Sequence, residues 1–367
     1  VSYSQERLWF LSRLEPGNEA YHIHGGIRLQ GRLRVEILEQ SLTEILSRHE
    51  SLRTTFEEID GRPVQVISPP AAFNLAVLGL EALPAADRAA RLQQIIADEA
   101  SRPFDLSAGP LFRAVLVRLG QEEHVLVLVM HHIITDGWSL GVFTRELESL
   151  YSAFCEGRPS PLADLVVQYA DYAAWQRERL QGKVLDTQVK YWKQKLGEEL
   201  PILHLPADRP RPTVQTHRGA RHGFNLPRGL SERLEDLSRQ QGVTLYMMLL
   251  AAFKVLLYRY TGQADFGVGS PIANRNRAEI EGLVGFFVNS LALRCDLTDD
   301  PSFLEAAQRA QQTSLEAYAH QDLPFEKLVE ELQPDRDLSR NPLFQVMFAV
   351  QNARLDPLEL PQLEVES

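Results

Sequence analysis

Apolar positions along this chain alternate between helical and strand-like spacing. Val35, Leu38, Leu42, Ile45 and Leu46 recur at intervals of three and four, which predicts an amphipathic helix over 33–49. Asp60-Gly61 separates the short runs Thr54–Ile59 and Val64–Ile67 and reads as a hairpin turn, with Pro63 placing the second strand at an edge. An Ala-rich, charged helical pattern covers 84–101. The apolar runs Leu111–Leu119 and His124–His131, joined by Gly120-Gln121-Glu122-Glu123, read as two strands of a meander. A helical pattern then runs from about Leu140 to Phe154.

The second half begins with a helical pattern over 185–198, followed by a stretch crowded with Pro201, Pro206, Pro210 and Pro212. Proline at that density predicts an extended connector, so a lobe boundary is expected at about 176–215, dividing the chain into 1–176 and 177–367. A long apolar helix follows over 244–260 with Thr244 as N-cap. Strands are predicted around Phe266–Gly269 and Val288–Leu297. Ser302 with Glu305 makes a capping box for a helix to about His320, and Pro324 suits the first turn of the next helix. Phe344 to Gln351 is strand-like. This mixture predicts an α+β fold, with helices layered on sheets.

The 367 residues suffice for two domains or one large one, and 44% hydrophobic residues is ordinary for a globular protein. No run of eighteen apolar residues predicts a membrane span, and no signal-peptide pattern opens the chain. Cys155 and Cys295 cannot build a disulfide framework, which fits a reducing, cytoplasmic location. A net charge of -11 argues against nucleic acid as a partner.

The segment Met130-His131-His132-Ile133-Ile134-Thr135-Asp136-Gly137-Trp138-Ser139 carries the candidate chemistry. Two histidines sit where a strand ends, and side chains alternate faces along a strand. One imidazole can therefore face a given cavity while the other enters the opposite packing layer. Three readings compete. The first is a pair of satisfied core histidines. The second is metal binding: the residue types in His-His-x-x-x-Asp also occur in metal sites, though no further His, Cys or Asp cluster lies nearby to complete a shell. The third is acyl transfer, with one histidine as base or positioner beside the amide of Gly137.

The string His-His-x-x-x-Asp-Gly resembles the active-site motif of the chloramphenicol acetyltransferase superfamily, and Trp138-Ser139 resembles nonribosomal peptide synthetase condensation domains within it. Six further segments are similar to that family's motifs: Ser2 to Leu11, Arg48 to Phe56, Tyr169 to Trp175, Val284 to Ser290, His320 to Glu326 and Arg336 to Leu343. The opening segment and Asp136-Gly137-Trp138-Ser139 look most like the subtype that joins two L-configured residues. The resemblance covers nearly the whole chain. It implies two acyltransferase-like α/β sandwich lobes arranged as a V. It also implies further strands and a helix after Ser367, so the chain is expected to be a C-terminally truncated piece of a multidomain synthetase.

The implied reaction is attack by the amine of an acceptor aminoacyl thioester on a donor thioester. Both would be carried on phosphopantetheine arms by upstream and downstream carrier-protein domains, with an adenylation domain as neighbour. The domain itself is expected to bind no cofactor or metal. An α-amino group titrates near about 7.7–8.0 and an imidazole near about 6.5, so a base helps most after attack, when the nitrogen has become acidic. His132 is expected to be catalytic, as base or positioner, and Gly137 to admit the substrate closely or donate its amide to an oxyanion. His131 is expected to be structural. Asp136 is expected to hold the loop through an arginine, Arg48 or Arg275. Trp138, Ser139 and Asn289 are candidates to line the substrate tunnel, although capping, packing or backbone bonding explains each as well. Arg7 and Trp9 are read as supporting the fold, and Tyr172 and Trp175 as lobe-junction packing. Alternatives are a related acyltransferase using coenzyme A thioesters or an alcohol acceptor, and a non-catalytic recruitment domain.

Overall fold

A computed structural model describes residues 1–197, 200–214, 219–333, 337, 339–351 and 358–366. The first elements are α1 (Tyr3–Leu14), β1 (His22–Gly31), α2 (Val35–Arg48), β2 (Thr54–Ile59), β3 (Arg62–Ile67), β4 (Ala76–Gly79) and α3 (Ala85–Ser101). Then come β5 (Phe112–Arg118), β6 (Glu123–His131), α4 (Gly137–Cys155), α5 (Tyr169–Arg179) and α6 (Gly182–Leu196). The remainder is α7 (Arg228–Gln241), α8 (Leu245–Thr261), β7 (Asp265–Ile272), α9 (Ala278–Glu281), β8 (Asn289–Asp296), α10 (Phe303–Ala319), α11 (Phe325–Leu332) and β9 (Leu363–Glu366).

The chain forms two compact units. One comprises residues 1–178, 275–287 and the described part of 353–367; the other comprises 179–274 and 288–352. The first break falls between Glu178 and Arg179. Unlike a single cut, however, this partition returns 275–287 to the first unit.

In the first unit, a five-stranded sheet has the order β4-β5-β6-β1-β9, antiparallel except for the β4–β5 pair. Strand β6 is buried on both faces. Leu126, Leu128 and Met130 join a core with Leu38, Leu42 and Ile45 of α2 and Phe143, Leu147 and Leu150 of α4. Val125, Val127 and Val129 join a separate core with Leu92 and Ile95 of α3. Burial of each such side chain contributes about 1.5–3 kcal/mol, which makes β6 a rigid support for whatever follows its last residue. The β2–β3 hairpin turns through Asp60 and Gly61, both at positive φ. Helix α1 is not marked by apolar spacing, yet Ser2 and Gln5 form a complete capping box at its start.

In the second unit, β7 and β8 pair antiparallel over a core with α6, α8 and α10. Thr244 caps α8 through the Met247 amide at 3.2 Å, and Ser302 and Glu305 form the expected box on α10. Pro324 is the N-cap of α11 rather than a residue of its first turn. The strand-like run 344–351 makes a single parallel bridge, Gly269 to Met347, rather than a full ladder. Residues 200–214 contain neither helix nor strand, in line with a proline-rich connector. The ends of the patterns expected over 185–198 and 176–215 fall partly outside the described residues, as does part of the motif 336–343.

Candidate active site

The end of β6 separates the two histidines: His131 is its last residue, and His132 lies beyond it. His131 continues the odd-numbered series of β6 and is 4% exposed. Its ring centroid lies 6.0 Å from those of Phe104 and His22, and His22 is its partner in the β1–β6 register. The Ile133 amide donates to its Nδ1 at 3.1 Å, so the ring proton sits on Nε2. Burial, reinforced by His22 and His132, pushes its pKa down to about 3. His131 is therefore a neutral ring packed against His22 and Phe104.

His132 opens a 3-10 turn, His132–Ile134, and is half-buried. Its Nδ1 lies 2.8 Å from the Thr135 carbonyl oxygen. A carbonyl can only accept, so Nδ1 carries the proton and Nε2 presents the lone pair. The ring meets Phe286 edge-on, with centroids 4.9 Å apart and planes at 64°. An imidazole held in this tautomer can accept a proton at Nε2 without first reorganising.

Asp136 is the N-cap of α4 and its carboxylate is fully engaged. Oδ1 accepts from the Ser139 amide at 2.8 Å, from Ser139 Oγ at 2.7 Å and from Arg275 Nη2 at 3.2 Å. Oδ2 accepts from the Phe287 amide at 2.9 Å. Neither oxygen is directed to His132, so Asp136 shapes the loop rather than acting as a triad acid. Of the two candidate arginines, Arg275 is its partner; their side chains are 1% and 2% exposed. Arg275 also donates through Nη1 to the Ile280 and Leu283 carbonyls at 2.6 and 2.7 Å, and its guanidinium lies 4.0 Å from the Phe287 ring. Burial lowers its pKa and Asp136 opposes that shift. Arg48 is not a partner of Asp136: its Nε donates to Glu146 at 2.9 Å, beside His49 Nε2 at 2.8 Å from the same carboxylate.

Gly137 begins α4 and is exposed, and a Cβ built there would meet nothing within 4 Å. The first amides of a helix have no intrahelical acceptor, so those of Gly137 and Trp138 can donate outward. Trp138 is half-buried, and its indole N–H donates to the Glu281 carbonyl at 2.9 Å.

Two tunnel candidates have their polar groups engaged within the protein. Ser139 is completely buried, with its hydroxyl among Asp136, Arg275 and the backbone of Gly285, so it is a network member and not a lining group. Asn289, in the second unit, donates from Nδ2 to the Gln321 and Leu323 carbonyls at 3.0 and 2.9 Å and accepts from the Phe325 amide at 2.9 Å. Its amide closes the turn before α11.

Two features of the site have no signature in the sequence: Glu146 as the partner of Arg48 and His49, and the contact of Phe286 with His132. The Phe286-Phe287 pair is visible as part of a motif, but not which ring reaches the imidazole. Among the described residues, no group of three or more His, Cys, Asp or Glu side chains is placed to hold a metal ion. No single helix among them is long and apolar enough to cross a membrane.

The family model "Condensation domain" matches residues 1–366. The chain belongs to the condensation-domain family. It is 51% identical over 365 residues to a linear gramicidin synthase of Brevibacillus parabrevis, covering 100% of this chain and 5% of that protein. The domain thus spans a small part of that relative's length. Among solved structures, it resembles the X-domain from teicoplanin biosynthesis at a TM-score of 0.89 and 33% identity, covering 100% of this chain and 81% of that one. It also resembles a four-domain nonribosomal peptide synthetase bound to AMP and glycine, at a TM-score of 0.88 and 25% identity, covering 100% and 28%. These matches show the mixed α/β, chloramphenicol acetyltransferase-like fold of condensation domains.

Proposed function

We propose that this domain forms the amide bond between a donor aminoacyl or peptidyl thioester and the amine of an acceptor aminoacyl thioester during nonribosomal peptide synthesis. Both substrates are carried on phosphopantetheine arms of neighbouring carrier-protein domains, with an adenylation domain in the same cytoplasmic assembly, and both residues joined are L-configured. The acceptor nitrogen attacks the donor carbonyl carbon, and its electron pair forms the C–N bond as the carbonyl oxygen takes up negative charge. The C–S bond then breaks and the donor arm leaves as a thiol. His132 Nε2 removes the proton from the nitrogen after attack and returns it to the departing sulfur. The Gly137 amide donates to the developing oxyanion, and Trp138 flanks the acceptor.

The observation that carries this reading is the bond from His132 Nδ1 to the Thr135 carbonyl, which fixes the tautomer that a general base requires. The open space beside Gly137 supports it, because none of the described residues crowds a Cβ there. Base catalysis of this kind contributes about 10²–10⁴-fold.

The test is intact-protein mass spectrometry of the parent module, supplied with aminoacyl donor and acceptor carriers, with and without His132→Ala. A dipeptide on the acceptor carrier, slowed by at least about 10²-fold in the variant, is the expected result. A loss of a few-fold would make His132 a positioner. Product formed from free coenzyme A thioesters, or onto an alcohol, would transfer the assignment to a related acyltransferase.

A second reading has one observation in its favour: the similar X-domain has also been solved as a complex with OxyB. Absence of dipeptide from a folded domain across several residue pairs would favour such a recruitment role.

A further inference from the structure

We propose that Phe286 is a positioning residue for His132, and that the segment 284–287 is built as a clamp to deliver its ring. The inference rests on the proposed role of His132, and it goes beyond that role by naming what holds the imidazole.

The segment has no regular secondary structure, yet its backbone is tied at every residue by side chains of the same unit. The Val284 amide donates to His49 Nδ1 at 3.2 Å, and the Val284 carbonyl accepts from Ser51 Oγ at 2.7 Å. The Gly285 amide donates to Ser139 Oγ at 3.1 Å. The Phe286 carbonyl accepts from the Tyr169 hydroxyl at 2.6 Å, and the Phe287 amide donates to Asp136 Oδ2 at 2.9 Å. Burial holds the Tyr169 phenol protonated, so it remains a donor, and its oxygen can accept from Ser2 Oγ at 2.9 Å. A Cβ at Gly285 would lie 2.1 Å from Tyr169 Cδ2, so this close approach requires glycine.

So much fixation is more than core filling needs. Phe287 supplies the filling: it is 1% exposed and packs on Tyr169 and Tyr172. Phe286, by contrast, is half-buried and its ring contacts the imidazole. His132 is therefore limited on two sides, by the Thr135 carbonyl at Nδ1 and by an aromatic edge contact that opposes rotation of the ring. Losing one limit lets Nε2 wander, and a misplacement of about 1 Å in a reacting group can cost about 10²-fold in rate.

The experiment is a double-mutant cycle in the parent module. The rate of dipeptide formation is measured for Phe286→Ala and Phe286→Leu, each with His132 intact and with His132→Ala. Phe286→Ala is expected to slow the reaction by about 10-fold or more when His132 is present and by less than about twofold when it is absent, with the KM for the acceptor carrier little changed. Equal losses in both backgrounds would overturn the proposal and make Phe286 a structural residue. A second readout is independent of catalysis: ¹⁵N shifts of labelled histidine should show His132 mainly as the Nδ1–H tautomer, becoming mixed in the Phe286 variants. An unchanged tautomer and ring environment in Phe286→Ala would overturn the proposal even if activity fell. If His132→Ala proves fully active, the base assignment fails, and the shift measurement still decides whether Phe286 orients the ring. Phe286→Leu, which preserves bulk, serves if the alanine variant does not fold.

Discussion

Helix α4 carries two buried carboxylates that differ in what they hold. Asp136 sits at the N-cap, 2% exposed in its side chain, opposite a guanidinium that is 1% exposed. Glu146 lies within the helix, 10% exposed, and shares its oxygens between Arg48, 14% exposed, and His49. Each reaches the 284–287 segment: Asp136 directly at the Phe287 amide, Glu146 through His49, whose Nδ1 takes the Val284 amide. The difference lies in escape. If Glu146 is lost, Arg48 can turn toward water; if Asp136 is lost, Arg275 stays in place as a buried charge. A buried pair contributes little net stability over apolar residues, but removing one member is costly. The pair beside His132 is thus the stricter constraint on geometry.

The largest expected effect follows from that contrast. Asp136→Ala should destabilise the domain by about 3–5 kcal/mol, measured by urea denaturation. Replacing both partners, Asp136→Leu with Arg275→Met, should recover part of the loss, because no charge is left stranded. A double variant worse than the sum of the singles would break the comparison. Next comes His131. Its folded-state pKa is depressed to about 3, so below about pH 6.5 the unfolded chain binds a proton that the folded chain refuses. Its contribution is complete above about pH 6.5 and is lost as the pH falls toward about 3, by up to about 1.4 kcal/mol per unit. Stability measured across that window should fall less steeply in His131→Gln, and an unchanged slope would remove the buried, neutral assignment. Glu146→Ala should cost less than Asp136→Ala, about 1–3 kcal/mol. Equal losses from the two carboxylates would mean that Arg48 is as confined as Arg275. Gly137→Ala should change stability least, within about 0.5 kcal/mol, since the added methyl meets none of the described residues. Under the proposed function, the same variant should still lower the rate of dipeptide formation; an unaffected rate would end the special role of Gly137.

Local order explains which parts were legible beforehand. The β2–β3 hairpin, the Thr244 cap and the Ser302–Glu305 box depend on residues within a few positions of one another, and such signals survive folding intact. The cap of α1 is equally local: Ser2 and Gln5 stand in plain view, although apolar spacing does not mark that helix. The expectation that His131 and His132 face different surroundings is likewise local, although the structure separates them by ending β6 at His131 and starting a 3-10 turn at His132. By contrast, the residues 344–351 have the composition of a strand but make only one bridge, because pairing is decided by the neighbour and not by the run itself.

The sequence by itself determined most element types, the family and the pair of histidines with unlike surroundings, because these rest on spacing and on short-range bonding. Only the tertiary structure decided that Arg275 and not Arg48 meets Asp136, 139 positions away, that Ser139 is buried while Gly137 is open, and that Phe286 reaches the imidazole. Those choices depend on chain returns such as that of 275–287 to the first unit. Spacing alone carries no information about where a returning segment docks: that is set by which buried polar groups can all be satisfied together.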